Sequence, residues 1–575
     1  MKKYLFIALA ALGFAACAEK MDDNSSVQKG ELEESYIAIN LMSADVDTRA
    51  PLNEYGGFED GTDLERVVNT AYFFFFDENG NAFNVTGNPA SAPGGEKNYL
   101  PLTIGATTGK TEPNVSDIKE AVVVLSTYKG VYPSLIVAVI NWTPAVDKNT
   151  YSLEELHGVY NSIGNDTNGY VISNSVYMDH AGNMIDAVPL TAANIKTTAD
   201  AAKAAPVDIY VERTAAKVVL TANGKVVGTD NIFDTQKNST PVLLAGTSSE
   251  IDVYVKLHGW ELYNDYNTSS LLKNIDTTWD PAVLGLTWND IPFYRCYWAK
   301  SQATSQSDSF AWSYIDADKA TKGFQTIYGF NVGASADYTD RTTYTYCGEN
   351  TNGEDLRTKV LLKGQLMQKN GENYEPLELA RWYGTEYAGN EALRIAVANS
   401  LKYTLYYYDE ASSKYISIAP GDLECVEGTE VNAEAYEVGF QLSTAGKAKT
   451  WYQYSSAEGY KVFGDNGVAG DNAAKANTYL EGVEPALLYS NGMTYYIVDI
   501  KHLGKTGTTA EYGVVRNHVY QIDIESITGY GSPVYNGLSN FENPEYPEVS
   551  ESSYVAARIN VLSWKVVKQQ VNVGQ

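Results

Sequence analysis

Short apolar runs separated by turn residues recur along this chain of 575 residues. Apolar and polar side chains alternate over residues 520–524, whereas residues 121–125 and 135–140 are continuous apolar runs of strand length. Alternation with a period of two gives a strand one apolar face, and a short continuous run is typical of a strand buried on both faces. The 44 tyrosines also favour strands. We therefore predict a mainly β protein of β-sandwich domains.

Two segments carry the signature of a β-hairpin. Residues 72–81 combine an apolar run with a polar turn, and residues 487–498 combine two apolar runs around Asn491 and Gly492. Asn-Gly favours the positive φ angles that tight hairpin turns require. Both segments are therefore predicted to be hairpins.

Helical signals are few. Ser152 and Glu155 have the spacing of a capping box in front of an apolar segment, which predicts a helix start at this point. An alanine-rich segment over residues 191–205 and a segment over residues 390–401 are the other two helix predictions. The few helices are expected to be excursions from the sheets.

Length and charge limit the possible functions. A chain of 575 residues is too long for one compact core and suggests two to four domains. Its 42 Lys plus Arg against 71 Asp plus Glu give a net charge of −29. Such a chain repels phosphate backbones, and this excludes nucleic acid as a partner.

The first residues have the pattern of a bacterial lipoprotein signal. Lys2 and Lys3 precede an apolar run over residues 5–16, and small residues stand just before Cys17. The run is too short to span a bilayer, and it fits the apolar part of a signal peptide. The pattern predicts lipidation of Cys17. The alternative is an ordinary signal peptide that contains a cysteine.

A polar tether and an isolated strand follow Cys17. Residues 18–34 are acidic and almost free of apolar side chains, and this composition does not pack into a core. Residues 36–41 alternate as a strand does, and Arg49 then stands beside Ala50 in a polar segment that suits a tryptic protease. The residues alone leave two interpretations open, a permanent strand with a solvated Arg49 or a removable strand.

The chain has no convincing catalytic or metal-binding motif. Residues 105–111 resemble a phosphate-binding loop but are one residue short of the required spacing, and residues 77–81 lack the glutamate that closes a calcium-binding EF-hand loop. No cofactor, metal site or catalytic residue is predicted. Carboxylates distant in sequence can still meet in space, as in glycosidases. The histidines lack metal-ligand spacing: they are residues 157, 180, 258, 502 and 518.

Three cysteines remain beyond Cys17, namely Cys296, Cys347 and Cys425. An exported chain permits disulfides. A bridge between Cys296 and Cys347 is one interpretation, and three thiols buried as small apolar side chains are the other. The sequence leaves both open.

Three segments together resemble the fimbrillins of the Bacteroidales, the type V pilins, and most of all the major subunits of their minor fimbriae. The first is Val-Glu-Arg-Thr-Ala-Ala-Lys-Val at residues 211–218. The second is Val-Val-Arg-Asn-His-Val-Tyr at residues 514–520, and the third is Val-Leu-Ser-Trp-Lys-Val at residues 561–566. The family often has proline where this chain has Ser563. The signal, the arginine site and these motifs occur in the same order as in the family.

The resemblance implies a fold of two transthyretin-like β-sandwich domains with a few short helices. It places a lipoprotein signal peptide at residues 1–16 and a propeptide with a removable first strand at residues 17–49. The N-terminal domain is then expected over residues 50–212 and the C-terminal domain over residues 213–575.

The resemblance also implies assembly by strand exchange. A trypsin-like protease would cut between Arg49 and Ala50, and the groove that opens would accept a strand from a neighbouring subunit. We predict that residues 554–575 are this donor strand, because residues 540–553 look like an extended linker and the residues after it alternate. The alternative is that this strand closes its own domain. The donor residues are predicted to be Ile559, Val561, Leu562, Trp564 and Val566.

The function predicted from these observations is that of a structural major (shaft) subunit of a cell-surface fimbrium that supports adhesion, not an enzyme. Its expected partners are other copies of itself, fimbrial anchor and tip subunits, a trypsin-like processing protease and a host or bacterial surface ligand. The precursor is expected to be a lipoprotein of the outer membrane. The alternatives are a surface lipoprotein that binds glycans or host proteins without polymerising, using tyrosine-rich loops, and a surface glycoside hydrolase.

Overall fold

The mainly β class is confirmed, and the helices are few and short. A computed structural model describes residues 32–44, 62, 64–85, 96–101, 115–128, 131–165, 167–179, 181–222, 232–234, 242–243, 250–266, 268–275, 293–301, 312–313, 344–354, 356–428, 437–464, 472–504, 506–533, 554–562 and 567–569.

The first thirteen strands build the N-terminal part of the molecule. They are β1 (Leu32–Ala44), β2 (Ala71–Phe76), β3 (Tyr99–Pro101), β4 (Val115–Tyr128), β5 (Leu135–Ile140), β6 (Tyr160–Ser162), β7 (Gly164–Asn165), β8 (Gly169–Tyr170), β9 (Ile172–Asn174), β10 (Tyr177–Asp179), β11 (Met184–Ile185), β12 (Val188–Pro189) and β13 (Val207–Arg213).

Most of these strands form one eight-stranded sheet. Its order is β3-β2-β5-β9-β13-β1-β4, and β12 pairs with β5. The apolar run of β2 is buried on both faces: Phe73 and Phe75 belong to the core on one side of the sheet, and Phe74 and Phe76 belong to the core on the other side. This explains why the run lacks polar alternation.

The predicted turn after β2 is confirmed. The backbone N–H of Gly80 donates to the carbonyl of Asp77, and an isolated bridge joins Phe76 to Ala82. The returning chain is thus short and adds no full strand to the sheet.

The second group of strands begins directly after Arg213. It contains β14 (Ala215–Ala222), β15 (Ile232–Asp234), β16 (Val242–Leu243), β17 (Glu250–Ile251), β18 (Val253–Tyr263), β19 (Asp265–Tyr266), β20 (Thr268–Ser270), β21 (Phe293–Arg295), β22 (Trp312–Ser313), β23 (Tyr344–Gly348), β24 (Lys359–Asn370) and β25 (Asn373–Pro376).

A third group of strands has a core of its own. It contains β26 (Leu379–Trp382), β27 (Thr385–Ala388), β28 (Tyr406–Asp409), β29 (Lys414–Ser417), β30 (Leu423–Glu427), β31 (Glu437–Leu442), β32 (Trp451–Ser455), β33 (Gly459–Val462) and β34 (Ala486–Tyr489).

The chain then returns to the sheets of the second group. The remaining strands are β35 (Met493–Asp499), β36 (Val519–Thr528), β37 (Ser532–Pro533), β38 (Tyr554–Leu562) and β39 (Val567–Gln569).

Six strands of the second group and these last strands form a β-sandwich. One sheet has the order β23-β14-β36-β38-β39, and the other has the order β15-β18-β24-β35-β37 with β25 beside β24. Leu220 and Ile522 from the first sheet and Val255 and Leu362 from the second belong to one buried core. The two sheets therefore pack face to face, as in other sandwiches.

The third group forms a unit inserted into this sandwich, between β25 and β35. Its sheets have the orders β27-β26-β34-β31-β30 and β29-β28-β32-β33. Phe440, Trp451 and Leu488 lie in a hydrophobic core separate from that of the sandwich. We call residues 379–489 the inserted unit. This unit lies within the C-terminal domain that was predicted as one piece over residues 213–575.

The described residues also contain five α-helices and four short 3₁₀ helices. They are α1 (Leu153–His157), α2 (Ala199–Lys203), α3 (Gly389–Ser400), α4 (Thr444–Lys447) and α5 (Asn472–Leu480), with 3₁₀ helices at Leu64–Arg66, Pro420–Asp422, Ser490–Gly492 and Thr509–Glu511.

Two of the three helix predictions are confirmed in place. At α1, the Ser152 hydroxyl accepts the Glu155 N–H at 3.1 Å and the Glu155 carboxylate accepts the Ser152 N–H at 2.7 Å, so both halves of the capping box are formed. The helix predicted at residues 390–401 is α3.

The helix predicted over residues 191–205 is mostly absent. Only Ala199–Lys203 is helical, with Thr198 as its N-cap. The Asn194 side chain accepts hydrogen bonds from the N–H and the hydroxyl of Thr191 and closes a turn. Side chains of this type compete with the backbone hydrogen bonds of a helix.

The hairpin predicted at residues 487–498 is wrong. Asn491 and Gly492 do have positive φ angles of 51° and 75°. However, β34 pairs with β26 and β31 of the inserted unit, whereas β35 pairs with β24 and β37 of the sandwich. The turn therefore passes the chain from one sheet to another, because local turn chemistry sets the bend but not the partner strand.

Candidate functional site

The first strand lies inside the N-terminal sheet rather than at its edge. β1 is antiparallel to β4, from Leu32 opposite Tyr128 to Ala44 opposite Val115. On its other side it is parallel to β13, where Ile39 is opposite Val207. Removal of β1 would leave unpaired backbone groups on two strands at once, and such groups bind an incoming strand.

β1 is needed to hold β4 in the N-terminal sheet. Among the strands that the structure describes, β4 pairs with β1 alone, so β1 connects it to the remainder of the sheet. Ile37 of β1 is fully buried and belongs to the same core as Val123 of β4 and Ile209 of β13. A vacant β1 position would thus expose the core as well as the backbone.

The predicted processing and lipidation residues lie outside the described residues. These are Cys17, Arg49 and Ala50. The last residue of β1 is Ala44, so the predicted cleavage point follows the strand by 49 − 44 = 5 residues. A cut there would break the covalent link between β1 and the other strands of its sheet.

The predicted donor strand pairs within its own chain in this structure. Ile559, Val561 and Leu562 belong to β38, where they stand opposite Ile522, Tyr520 and Val519 of β36. β39 pairs with the other edge of β38, where Val561 is opposite Val567. The single chain therefore shows the alternative arrangement, in which the strand closes its own sheet. Trp564 and Val566 lie outside the described residues.

A buried polar junction joins the N-terminal sheet to the sandwich at the first sequence motif. Arg213 ends β13 and is 1% exposed, and its Nε donates to the Glu65 carbonyl at 2.8 Å. The Glu65 carboxylate in turn accepts from Lys217 Nζ at 2.8 Å and from the Tyr346 hydroxyl. Lys217 and Tyr346 belong to the sandwich, so the motif at residues 211–218 lies where the two parts meet.

The ionisation of Glu65 is favoured by this junction. Burial raises the pKa of a carboxyl group, but the Lys217 ammonium and the hydrogen bonds from Lys217 and Tyr346 outweigh this effect. The pKa of Glu65 is accordingly lowered from its ordinary value. The carboxylate is charged at neutral pH and holds Lys217 in place.

The second sequence motif packs directly against the first. β14 and β36 are parallel neighbours, with Lys217 opposite Val519. Asn517 has a φ of 56° and donates its N–H to the Ala215 carbonyl at 2.7 Å. Asparagine tolerates this left-handed conformation better than most residues. The motifs at 211–218 and 514–520 thus form one structural element.

Two ion pairs are buried in the same region. Arg516 lies 3.2 Å from Glu349, and it also donates to the Ser270 carbonyl at 2.7 Å. Lys273 lies 2.9 Å from Glu212, and both side chains are fully buried. The hydroxyl of Ser175 donates to Glu212. Buried charges need such partners because desolvation is costly.

His502 lies beneath the second motif. Its ring nitrogens are 2.9 Å from the Tyr520 hydroxyl and 2.8 Å from the Tyr297 carbonyl. Burial is the main cause that lowers the pKa of His502 to about 3, although the hydrogen bond to Tyr297 acts in the opposite direction. The imidazole is therefore neutral in the folded protein at physiological pH.

We expect acid to weaken the fold through His502. Below the ordinary pKa of 6.5, the unfolded chain binds a proton at this residue and the folded chain does not. The free energy of unfolding therefore decreases by about 1.4 kcal/mol for each unit by which the pH is lowered. Urea denaturation at pH 6.5 and pH 5 should show wild type losing about 1.6 kcal/mol more than His502→Gln. Equal losses in the two proteins would contradict this assignment.

The structure shows no other chemical centre in the part of the chain that it describes. Within the described residues, no three His, Cys, Asp or Glu side chains are grouped to hold a metal ion. Cys296, Cys347 and Cys425 are thiols, and the first two are buried. No helix among the described residues has the length and apolar character needed to cross a bilayer.

Sequence reasoning missed most of the junction. Glu65, Lys273, Tyr346 and Glu349 were not singled out, and their partners lie far away in sequence. One signal was available: charged residues interrupt apolar strand patterns at 211–218 and 514–520, and a charge in a buried strand needs a partner. That signal predicts a buried polar contact but not the identity of the partners.

A comparison with protein-family models gives one match. Residues 487–570 match the model described as major fimbrial subunit protein type IV, fimbrillin, C-terminal. This part of the chain is similar to the C-terminal region of fimbrillins. This region runs from the end of the inserted unit through β35, β36, β37, β38 and β39, so it contains the second motif and residues 554–570 of the predicted donor strand. The predicted resemblance to fimbrillins is confirmed, while the finer likeness to the minor-fimbria subunits stays a prediction.

Comparisons with whole proteins give distant likenesses. No match is found among curated proteins. The fimbrilin FimA from Porphyromonas gingivalis W83 is 12% identical, with 91% of this chain and 96% of that chain covered and a TM-score of 0.33. The tip fimbrial protein Mfa3 from Porphyromonas gingivalis is 11% identical, with 92% and 99% covered and a TM-score of 0.27.

A third solved structure matches part of this chain. A fimbrial assembly protein from Parabacteroides distasonis ATCC 8503 is 11% identical, with 59% of this chain and 100% of that chain covered and a TM-score of 0.24. At these identities and scores the solved structures carry no argument about function. The resemblance to fimbrillins therefore depends on residues 487–570.

Proposed function

We propose that this fimbrillin-type chain is a structural subunit of a cell-surface fimbrium and that it polymerises by protease-triggered donor-strand exchange. The observation that carries the proposal is the position of β1, an interior strand that connects β4 to its sheet and is followed within a few residues by Arg49. A removable interior strand leaves a groove that only another strand can fill.

Cleavage after Arg49 is the first step of this proposal. It separates β1 from the rest of the chain, so that only the ladders to β4 and β13 and the packing of the strand hold it. Loss of β1 then opens the groove. A replacement strand must run antiparallel to β4 and parallel to β13, or reverse both relations.

The C-terminal strand of a neighbouring copy is the proposed replacement. Ala557, Ile559 and Val561 alternate in β38, and an alternating strand can present one apolar face to a core. Burial of an Ile or Val side chain contributes about 1.5–3 kcal/mol. The strand leaves its own sheet, and the linker predicted over residues 540–553 gives it reach.

The proposed shaft role is supported by the presence of an acceptor position and a terminal strand in one chain. Each subunit inside a filament must accept a strand at one end and donate a strand at the other. This chain carries a strand in the acceptor position, β1, and a terminal strand, β38. Fimbrial anchor and tip subunits, a trypsin-like protease and a host or bacterial surface ligand are the further proposed partners, and the precursor is proposed to be an outer-membrane lipoprotein.

Limited proteolysis tests the proposed function. Wild-type precursor treated with trypsin should change from monomers to filaments in electron micrographs, and Arg49→Ala should stay monomeric. Lys148→Ala removes another tryptic residue, one whose side chain is 38% exposed, and should leave assembly unchanged. Mass spectrometry should find lipid on Cys17 in the cellular precursor and an N-terminus at Ala50 in filaments. Filaments that retain residues 32–44 would refute the exchange.

A further inference from the structure

The second sheet of the inserted unit has one face made almost entirely of tyrosine rings. β28, β29, β32 and β33 are joined in the register Tyr408 opposite Tyr415 and Tyr454 opposite Tyr460. Alternate residues of a strand share a face, and the outward face defined in this way, which we call the tyrosine face, consists of Tyr406, Tyr408, Tyr415, Ser417, Tyr452, Tyr454, Tyr460 and Val462.

The opposite face of the same sheet closes the core. Trp451 is fully buried, and its ring lies 6.0 Å from that of Tyr407. The sheet therefore has an inner side that stabilises the unit and an outer side that the core does not use. The tyrosines on the outer side need another explanation than burial.

The rings of the tyrosine face support one another and remain accessible. Tyr415 and Tyr460 are stacked, with centroids 3.9 Å apart and planes 11° apart. Tyr454 lies 5.0 Å from Tyr460, and Tyr406 lies 5.1 Å from Tyr460. Tyr408 is 39% exposed and Tyr454 is 53% exposed. Neighbouring rings limit each other's freedom, so little side-chain entropy remains to be lost on binding.

The tyrosine face is electrically neutral on a strongly acidic chain. Its members are tyrosine, serine and valine, while the charged residues of these strands, such as Asp409, Lys414 and Lys461, occupy the alternate positions. The whole chain has a net charge of −29. An acidic surface such as that of a second copy would find no cation on this face, and a cationic protein would find no carboxylate on it.

We propose that the tyrosine face binds a neutral glycan. A pyranose ring has flat C–H faces that pack on aromatic rings. Its hydroxyls can form hydrogen bonds with the phenolic oxygens of Tyr406, Tyr454 and Tyr460. Tyrosine combines a large apolar surface with one polar group, which is the combination that a sugar requires. A row of rings accommodates several sugars of one chain. Glycan binding at this face does not require polymerisation.

Isothermal titration of the purified full-length protein tests this site. The probes are cellohexaose, maltohexaose, xylohexaose, mannohexaose and chitohexaose. We expect at least one of them to bind wild type, and Tyr454→Ala and Tyr460→Ala to weaken that binding at least about ten-fold, since each removes a stacking surface. Tyr454→Phe keeps the ring and should stay within about three-fold of wild type.

The matched control is Tyr479→Ala. Tyr479 is 43% exposed on α5 of the same unit but lies off the tyrosine face, so its loss should leave glycan affinity unchanged. Urea denaturation shows whether each variant keeps the wild-type fold. Binding of none of the five hexasaccharides, or equal affinity in Tyr454→Ala and wild type, overturns the proposal. Self-association of wild type that Tyr454→Ala abolishes, measured by sedimentation, overturns it in favour of a contact between copies.

Discussion

We expect a chain in which a disulfide joins β1 to β4 to form no filaments after cleavage at Arg49. The proposed exchange requires β1 to leave its sheet, and a covalent bond between the two strands prevents this whether or not the backbone has been cut. Reduction should then restore assembly. The expected difference between the oxidised and the reduced protein is all or none.

The register of the two strands indicates where to place the bridge. Ala38 of β1 stands opposite Val122 of β4. Opposed residues of an antiparallel pair have Cα atoms about 4.5–5.5 Å apart, within the range that a disulfide spans. Ala38 is 3% exposed, so a cysteine there replaces a small buried side chain by another. The native thiols Cys296 and Cys347 are buried, so they are poorly placed to form disulfides with the introduced cysteines.

The experiment compares four samples. Ala38→Cys/Val122→Cys is cleaved with trypsin in oxidised and in reduced form, and Ala38→Cys alone and wild type are treated in the same way under oxidising conditions. Electron microscopy and gel filtration measure polymer. We expect filaments in every sample except the oxidised double variant. Filaments from that variant would show that β1 stays in place during assembly.

The second large effect is expected at Lys273. Replacement by methionine leaves the fully buried Glu212 carboxylate without its cation, and breaking a buried pair in this way costs about 3–5 kcal/mol. Lys273 also donates to the Cys296 carbonyl at 2.7 Å, and this hydrogen bond would be lost. Urea denaturation of Lys273→Met should show a loss of this size.

The partner variant separates lost charge from lost packing. Lys273→Met/Glu212→Gln removes both charges and keeps both shapes, so it should recover most of the stability. Lys203→Met changes an exposed lysine of α2 and should stay within about 0.5 kcal/mol of wild type. If the double variant is as unstable as Lys273→Met, packing or the bond to Cys296 explains the loss, and the ion pair does not.

The strands were predictable because the burial of their faces determines the pattern of apolar residues in the sequence. The continuous apolar runs at residues 121–125 and 135–140 belong to β4 and β5, and β5 is buried along almost its whole length. The alternation at residues 520–524 belongs to β36. Apolar patterning expresses which faces a strand buries, and that information lies within a few neighbouring residues.

The partners of each strand were not predictable, because they depend on distant residues. The Asn491-Gly492 turn has the conformation that the sequence predicts, yet the strands on either side join different sheets. Arg213 and Glu65 are 148 positions apart, and Tyr346 is 281 positions from Glu65. No local pattern encodes such pairings. For the same reason the boundaries of the inserted unit could not be recognised, because they are set by strand pairings between distant residues.

The inserted unit begins and ends on neighbouring strands, since Leu379 in β26 stands opposite Tyr489 in β34. The chain therefore leaves the sandwich and returns to it within about 4.8 Å, one strand spacing. A lineage could exchange this unit for another of different surface without altering β1, β38 or the junction. In the proposed filament, subunits with different inserted units would still fit one another's grooves, and a single filament would then be a mosaic that carries several surfaces at once.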